Sequence, residues 1–254
     1  MNNRKKLIVI LVLLIAITLG TVYVFKDDLF PSNRLGGSLE LNTGVKDDVD
    51  YSEYEALYDK LHAINDDYLG TIVFDSGLVD VPTVYAIDYD EYLRRDFETG
   101  EYYEGGTVYL DPNASPDSQN MTFYGHTFYN GDRVFFTPLH DLIEEENYDK
   151  NKYLSLVLED EIRRYEVAYV YYADILLNNP QYPIEKGMEY MFPEFDDESL
   201  EYYINGIEKK EFYDTGVDIK PGDKFITFQT CVLYRDDLRL IVVAKEIDRI
   251  AFDA

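Results

Sequence analysis

Basic residues are scarce: 23 Lys and Arg stand against 50 Asp and Glu, a formal charge of −27. Nucleic acid is bound by neutralising many phosphates with clustered cations, so it is not expected as a partner. Cysteine occurs once, tryptophan never and histidine three times. One thiol excludes an intrachain disulfide framework and any multi-cysteine zinc site. The acidic runs Glu144-Glu-Glu146 and Asp196-Asp-Glu198 match no calcium-loop spacing and read as solvated faces, so neither a metal nor a cofactor is expected. Against these shortages stand 46% apolar and 15% aromatic residues, too many for a disordered acidic chain and enough for one sizeable core.

A single long hydrophobic run, Leu7 to Phe25, carries no charge. At about 1.5 Å per residue it reaches about 28 Å, the thickness of a bilayer core. Arg4, Lys5 and Lys6 precede it and Lys26, Asp27 and Asp28 follow. The positive-inside bias then keeps the N-terminus in the cytoplasm and exports the remainder. A cleaved signal peptide is the alternative, but its apolar core runs about 7–15 residues and ends in a small-x-small site, where this run ends in Tyr23, Val24 and Phe25. The expected division is a cytoplasmic tip and membrane anchor over 1–26, an acidic linker over 27–50 with Pro31, Gly36, Gly37 and Gly44, and a folded domain over 51–254. Residues 27–254 hold 19 basic and 50 acidic side chains, or −31, which keeps such a domain soluble and away from anionic lipid.

Tyr54, Leu57, Tyr58, Leu61 and Ile64 recur at helical spacing and predict a helix over 51–67. Beyond it the period shortens. Runs rich in β-branched and aromatic residues at 69–74, 81–87, 107–111, 121–125, 153–158, 164–175, 224–230 and 239–247 predict eight strands, separated by Gly, Pro, Asn and Asp. Helices are also expected at 89–97, 137–149 and 196–209. They do not alternate with the strands, so a mostly antiparallel barrel or sandwich with peripheral helices fits better than a doubly wound sheet. Asn113-Ala-Ser115 and Asn120-Met-Thr122 fit glycosylation sequons, a short pattern that arises readily by chance.

Cys231 closes the apolar run that begins at Lys224. A thiol at a strand end either projects into a cleft or packs as a small hydrophobe, and the residue alone does not separate the two. His62 falls on the polar side of the first helix, and His140 sits in a helical context that suits packing or exposure. His126 follows the strand Thr122-Phe-Tyr-Gly125, where the glycine permits a sharp exit that leaves an imidazole at a strand end, or where it merely satisfies a hydrogen bond. Arg239 leads the strand Leu240 to Ala244, eight residues after Cys231, so a hairpin would return it beside the cysteine. The alternative is an edge arginine paired with an acid. Arg235 competes for the same role but lies in a turn of charged residues. Together these supply a nucleophile, a proton shuttle and a fixed cation, the parts of cysteine acyl transfer. The order His before Cys excludes a papain-like arrangement, and the 105-residue spacing and Gln229-Thr-Cys231 context exclude a caspase-like one.

Tyr124-Gly-His126, Thr227-Phe-Gln-Thr-Cys231 and Arg239-Leu-Ile-Val-Val-Ala-Lys245 resemble the catalytic segments of the sortases, most closely class B. Tyr92-Leu93, Gly106 to Asp111 and the Val134-Phe-Phe-x-x-Leu139 segment extend the similarity over roughly 51–248. Two positions depart from the pattern: Thr127 replaces the usual Asn, and Phe228 the usual Leu. No aromatic lid motif or second membrane span points to the pilin-polymerising class.

The resemblance implies a mostly β fold, an eight-stranded sortase-type barrel with peripheral helices behind one N-terminal transmembrane helix. It implies a single-pass enzyme with its catalytic domain outside a Gram-positive cell. Such an enzyme is a transpeptidase that cuts the C-terminal sorting signal of an exported protein through a thioacyl intermediate. Transfer would go to an amine of a cell-wall precursor or of a pilin lysine. On that analogy Cys231 is the nucleophile, His126 the acid and base, and Arg239 the cation that holds substrate or oxyanion, with Leu93 and Thr230 lining the substrate groove. Two other functions stand beside it: a hydrolytic thiol peptidase, and a catalytically inactive surface scaffold or adhesin, which the 25 tyrosines would suit.

Overall fold

The structure, a computed structural model, describes residues 52–128, 133, 135–175 and 189–252. The expected anchor, the linker and Val134 lie outside the described residues. Among those residues no helix is long and apolar enough to cross a membrane.

A helix, α1 (Ser52–His62), leads into eight strands: β1 (Tyr68–Phe74), β2 (Asp80–Val84), β3 (Val108–Leu110), β4 (Asn120–Tyr124), β5 (Tyr153–Val157), β6 (Glu161–Asp174), β7 (Phe225–Val232) and β8 (Arg235–Ala251). They close into a barrel in the order β1-β2-β3-β4-β7-β8-β6-β5. The barrel thus resolves the expected choice between barrel and sandwich. Six of the eight junctions are antiparallel, and β2 with β3 and β4 with β7 run parallel.

Alternate residues of each strand point inward. Ile72, Phe74, Leu110, Phe123, Phe228 and Val242 meet in the barrel core, all essentially sealed from solvent. The outer faces of β6, β7 and β8 are covered instead. There Leu200, Tyr203 and Ile207 of a second long helix, α3 (Asp197–Ile207), pack on Phe225, Ile241 and Val243. Asp196 caps that helix, its carboxylate accepting from the Ser199 N–H, so this acid run does a helix cap's work. Arg164 of β6 clamps Asp75 at the end of β1 through two 2.7 Å bonds and takes a second partner in Ser155, tying the strands on both sides of β5.

Three expected helices are corrected. The first stops at His62 rather than 67, because Asn65 turns the chain and accepts from the Asp67 N–H. Residues 89–97 form turns, not a helix: the Asp88 carboxylate takes the Asp90 and Glu91 N–H groups, and Arg95 bridges to Tyr102. The 137–149 stretch breaks into two 3-10 turns, Thr137–Ile143 and Glu145–Asn147, before a single turn of α2 (Tyr148–Asn151). β6 and β8 are longer than their apolar runs, since they pair on through Arg164↔Asp248 and Glu161↔Ala251. The Asn120 sequon is unusable in the folded chain. Asn120 is 0% exposed, donates to the Tyr190 and Phe192 carbonyls and accepts from Thr227.

Candidate active site

β4, β7 and β8 lie side by side, and the site grows from the ends of their outer faces. Along β7, Ile226 and Phe228 enter the barrel core while Gln229 and Cys231 are half-buried on the opposite row. Along β8, Leu240 and Val242 point inward, whereas Ile241 and Val243 belong to the outer cluster and put Arg239 in the outer row. Cys231 and Arg239 are direct partners across this ladder, where facing Cβ atoms lie about 5 Å apart. β4 pairs with β7 through Tyr124↔Gln229, and the Gly125 N–H still reaches the Gln229 carbonyl at 3.2 Å. His126 is two residues beyond Tyr124 and Cys231 two beyond Gln229, so both follow the last β4–β7 pair at the same remove along neighbouring segments. Residues 113 positions apart in sequence, His126 and Arg239, thus come from the segments that adjoin β7 on either side.

Gly125 serves the site for a different reason from the expected one. Its backbone is not in the left-handed region; a Cβ there would sit 2.6 Å from the Phe136 ring. Phe136 fills the core beneath, so glycine lets the histidine strand end lie directly on it.

His126 Nε2 lies 2.9 Å from the Leu93 carbonyl. An oxygen that only accepts pairs with Nε2 when that nitrogen carries the proton, and Nδ1 is then the base. Arg94 also touches Nε2 through Nη1 while donating to the Glu104 carbonyl at 2.6 Å. The Leu93 carbonyl takes a proton from Nε2 and the guanidinium seeks a ring lone pair, so the two compete for the same nitrogen, and the guanidinium charge disfavours the imidazolium. Burial lowers the His126 pKa below its ordinary 6.5, the Leu93 carbonyl opposes this, and the Arg94 charge reinforces it. The Leu93 carbonyl is held in place by Gly106, whose left-handed backbone (φ +59°) comes so close that a Cβ would lie 2.5 Å from it.

Arg239 has no carboxylate partner among the described residues, where ion pairs engage Arg95, Arg133, Arg163, Arg164, Arg235 and Arg249 instead. It donates to the carbonyls of Asp236 and Leu238 at its own strand's start. Its competitor Arg235 is exposed and paired with Asp237. Tyr190 shares this face: its hydroxyl donates to Gln229 Oε1 at 2.8 Å, and the Arg239 charge offsets part of the upward push that burial gives the phenol.

The expected groove residues divide. Leu93 borders the histidine and is half-buried. Thr230 is 1% exposed and points the other way, its hydroxyl bonded to the Gly125 carbonyl and to Thr127, so its side chain supports the groove floor from beneath. Sequence reading missed Arg94, concealed by the helix expected over 89–97, and it read His140 as packed or exposed. In fact His140 Nε2 bonds the Cys231 carbonyl at 3.0 Å. A polar cavity of about 400 Å³ lined by Tyr58, Tyr85, Pro116, Glu161, Arg163 and Arg249 contains none of these groups. Among the described residues no three His, Cys, Asp or Glu side chains converge as metal ligands.

Both half-buried imidazoles bear on acid stability. Burial also holds His140 below 6.5. A base whose pKa is lower folded than unfolded binds fewer protons in the native state, so stability is complete above about 6.5 and is lost as pH falls toward the folded values. The melting temperature is expected to drop between pH 7 and 5.5 more steeply in the wild type than in a His126→Gln/His140→Gln double variant. Parallel slopes would contradict this.

No protein-family model matches the chain, and no curated protein matches it. Solved structures do. Clostridium perfringens sortase B is 28% identical with a TM-score of 0.65, covering 75% of this chain and 99% of that one. A Staphylococcus aureus sortase B–substrate complex, 23% identical, has a TM-score of 0.66 over 78% of this chain and 89% of its own. Bacillus anthracis sortase B in complex with AAEK1, 24% identical, has a TM-score of 0.61 over 78% and 94%. The chain resembles the sortases, class B foremost, and its eight-stranded barrel is their fold. That likeness supports a sortase-type cysteine transpeptidase.

Proposed function

We propose that this chain is a membrane-anchored sortase of class B type, which cleaves a sorting signal on exported proteins and joins it to an amine. The observation that carries the proposal is the ladder position of Cys231, directly opposite Arg239 and two residues past the last β4–β7 pair, on a barrel shared with sortase B.

Burial and the Arg94 charge keep His126 neutral at rest, so it takes the thiol proton as the sulfur becomes nucleophilic. The thiolate attacks the carbonyl of the sorting-motif threonine. The oxyanion that forms would be met by the Arg239 guanidinium, whose charge no carboxylate among the described residues neutralises. Collapse breaks the peptide bond, and the imidazolium returns its proton to the departing amine. The acceptor amine then attacks the thioester, His126 removes its proton, and Cys231 is released. The substrate-bound S. aureus structure supports a sorting-signal peptide as partner. The run Leu7–Phe25 supplies the anchor, and the acceptor is an amine of cell-wall precursor or a pilin lysine.

Partition of the thioester separates this reading from hydrolysis. With a cleavable sorting peptide, added triglycine or hydroxylamine is expected to divert most product from the free acid to the amide or hydroxamate. A product mixture indifferent to amine would identify a hydrolytic peptidase.

A further inference from the structure

The carbonyls of Gln229 and Cys231 lie two residues apart on β7 and therefore face the same neighbour. Gln229 finds its partner in the Gly125 N–H. β4 ends at Tyr124, and at Cys231 the imidazole of His140 takes over, its Nε2 3.0 Å from the carbonyl oxygen. On the other side the β7–β8 register breaks between Cys231 and Val232, so the peptide carrying the nucleophile sits where both ladders fail.

The proton directions in this cluster are determined. Thr230 donates its only hydroxyl proton to the Gly125 carbonyl at 2.7 Å. Thr127, 2.6 Å from Thr230, must then be the donor of that pair. His140 Nε2 lies 3.3 Å from Thr127 Oγ1, which is left to accept, so one Nε2–H is shared between Thr127 and the Cys231 carbonyl. The chain runs from His140 through Thr127 and Thr230 to Gly125, the residue before His126. It joins the backbone of the nucleophile to the backbone of the proton shuttle, and Thr127 and Thr230 are both buried within it.

We propose that His140 is a positioning residue: its Nε2–H, relayed through Thr127 and Thr230, fixes the spacing between the Cys231 and His126 strand ends. The inference rests on the thiol chemistry proposed above. Thr127 is the position at which the chain departs from the sortase pattern, and this network gives that threonine a partner that its hydroxyl fits.

In the full-length protein, His140→Phe and the near-isosteric Thr127→Val are expected to lower kcat for a sorting peptide about tenfold while KM stays within about twofold. Alkylation of Cys231 by iodoacetamide at pH 7 should slow about fivefold. His140→Gln places an amide N–H near the Nε2 position and should restore most of kcat and the alkylation rate. Unchanged kcat in both disrupted variants would overturn the proposal. So would a His140→Gln variant as impaired as His140→Phe, or a loss confined to melting temperature with kcat per folded molecule preserved. If the wild type cleaves no sorting peptide, the functional reading fails, and the alkylation series still decides whether His140 sets the thiol's position.

Discussion

Cys231→Ala is expected to lower sorting-peptide cleavage by about ten-thousand-fold or more, because no other group in the site replaces a nucleophile. The fold should survive. Cys231 is half-buried on the outer row of β7, away from the barrel core, so the truncation removes little packed surface and the melting temperature should move by only a few degrees. Cleavage kinetics alongside a thermal melt check both halves. Cleavage at the wild-type rate by a folded variant would dismiss thiol chemistry altogether, and with it the reason for placing His126 and Arg239 around the sulfur. A wild type that neither cleaves any sorting peptide nor reacts with a thiol-directed probe would leave the scaffold reading.

The largest stability effect is expected three residues away along β7, on the inner row. Phe228 occupies the position where the sortase pattern has leucine, and it is 0% exposed. Its ring meets Phe74, Phe123 and Phe136 at centroid separations of 6.0, 6.4 and 5.4 Å. Phe228→Ala leaves a cavity among three rings that cannot all collapse into it, at a cost of about 4 kcal/mol. For a domain of this size that lowers the melting temperature by roughly 8–16 °C. Phe228→Leu should cost distinctly less, since most of the volume stays filled. The effect reaches the site as well. Phe136 packs against both Phe228 and the space a Gly125 side chain would occupy, so loosening the ring cluster loosens the seat of His126. Equal melting temperatures for the alanine and leucine variants would contradict this packing account.

All eight strands were legible because their inward residues alternate with a covered or solvated row, and that pattern is local. The limits of β6 and β8 were not. Their outer ends pair through Glu161, Arg163, Asp248 and Arg249, whose polarity hides a strand from any hydrophobic period. Residues 89–97 carry helix formers, yet Tyr92 donates to Asp67 at 2.6 Å and Asp88 captures two N–H groups, so tertiary bonds override propensity. Within the site, His126, Cys231 and Arg239 could be singled out from rarity, strand ends and resemblance. His140 could not, because its acceptor is a backbone carbonyl 91 residues away, and backbone carbonyls leave no trace in side-chain identity. Thr230 was legible as a neighbour of the nucleophile, but its direction follows only from the strand's two-residue period, which sends it inward.

The most direct measurement is the mass of the protein quenched during turnover of a sorting peptide. The account predicts an added mass equal to the peptide's N-terminal fragment, mapped to the proteolytic segment containing Cys231 and discharged within seconds of adding an amine. Peptide cleavage with no adduct, or with an adduct on any other residue, would contradict it.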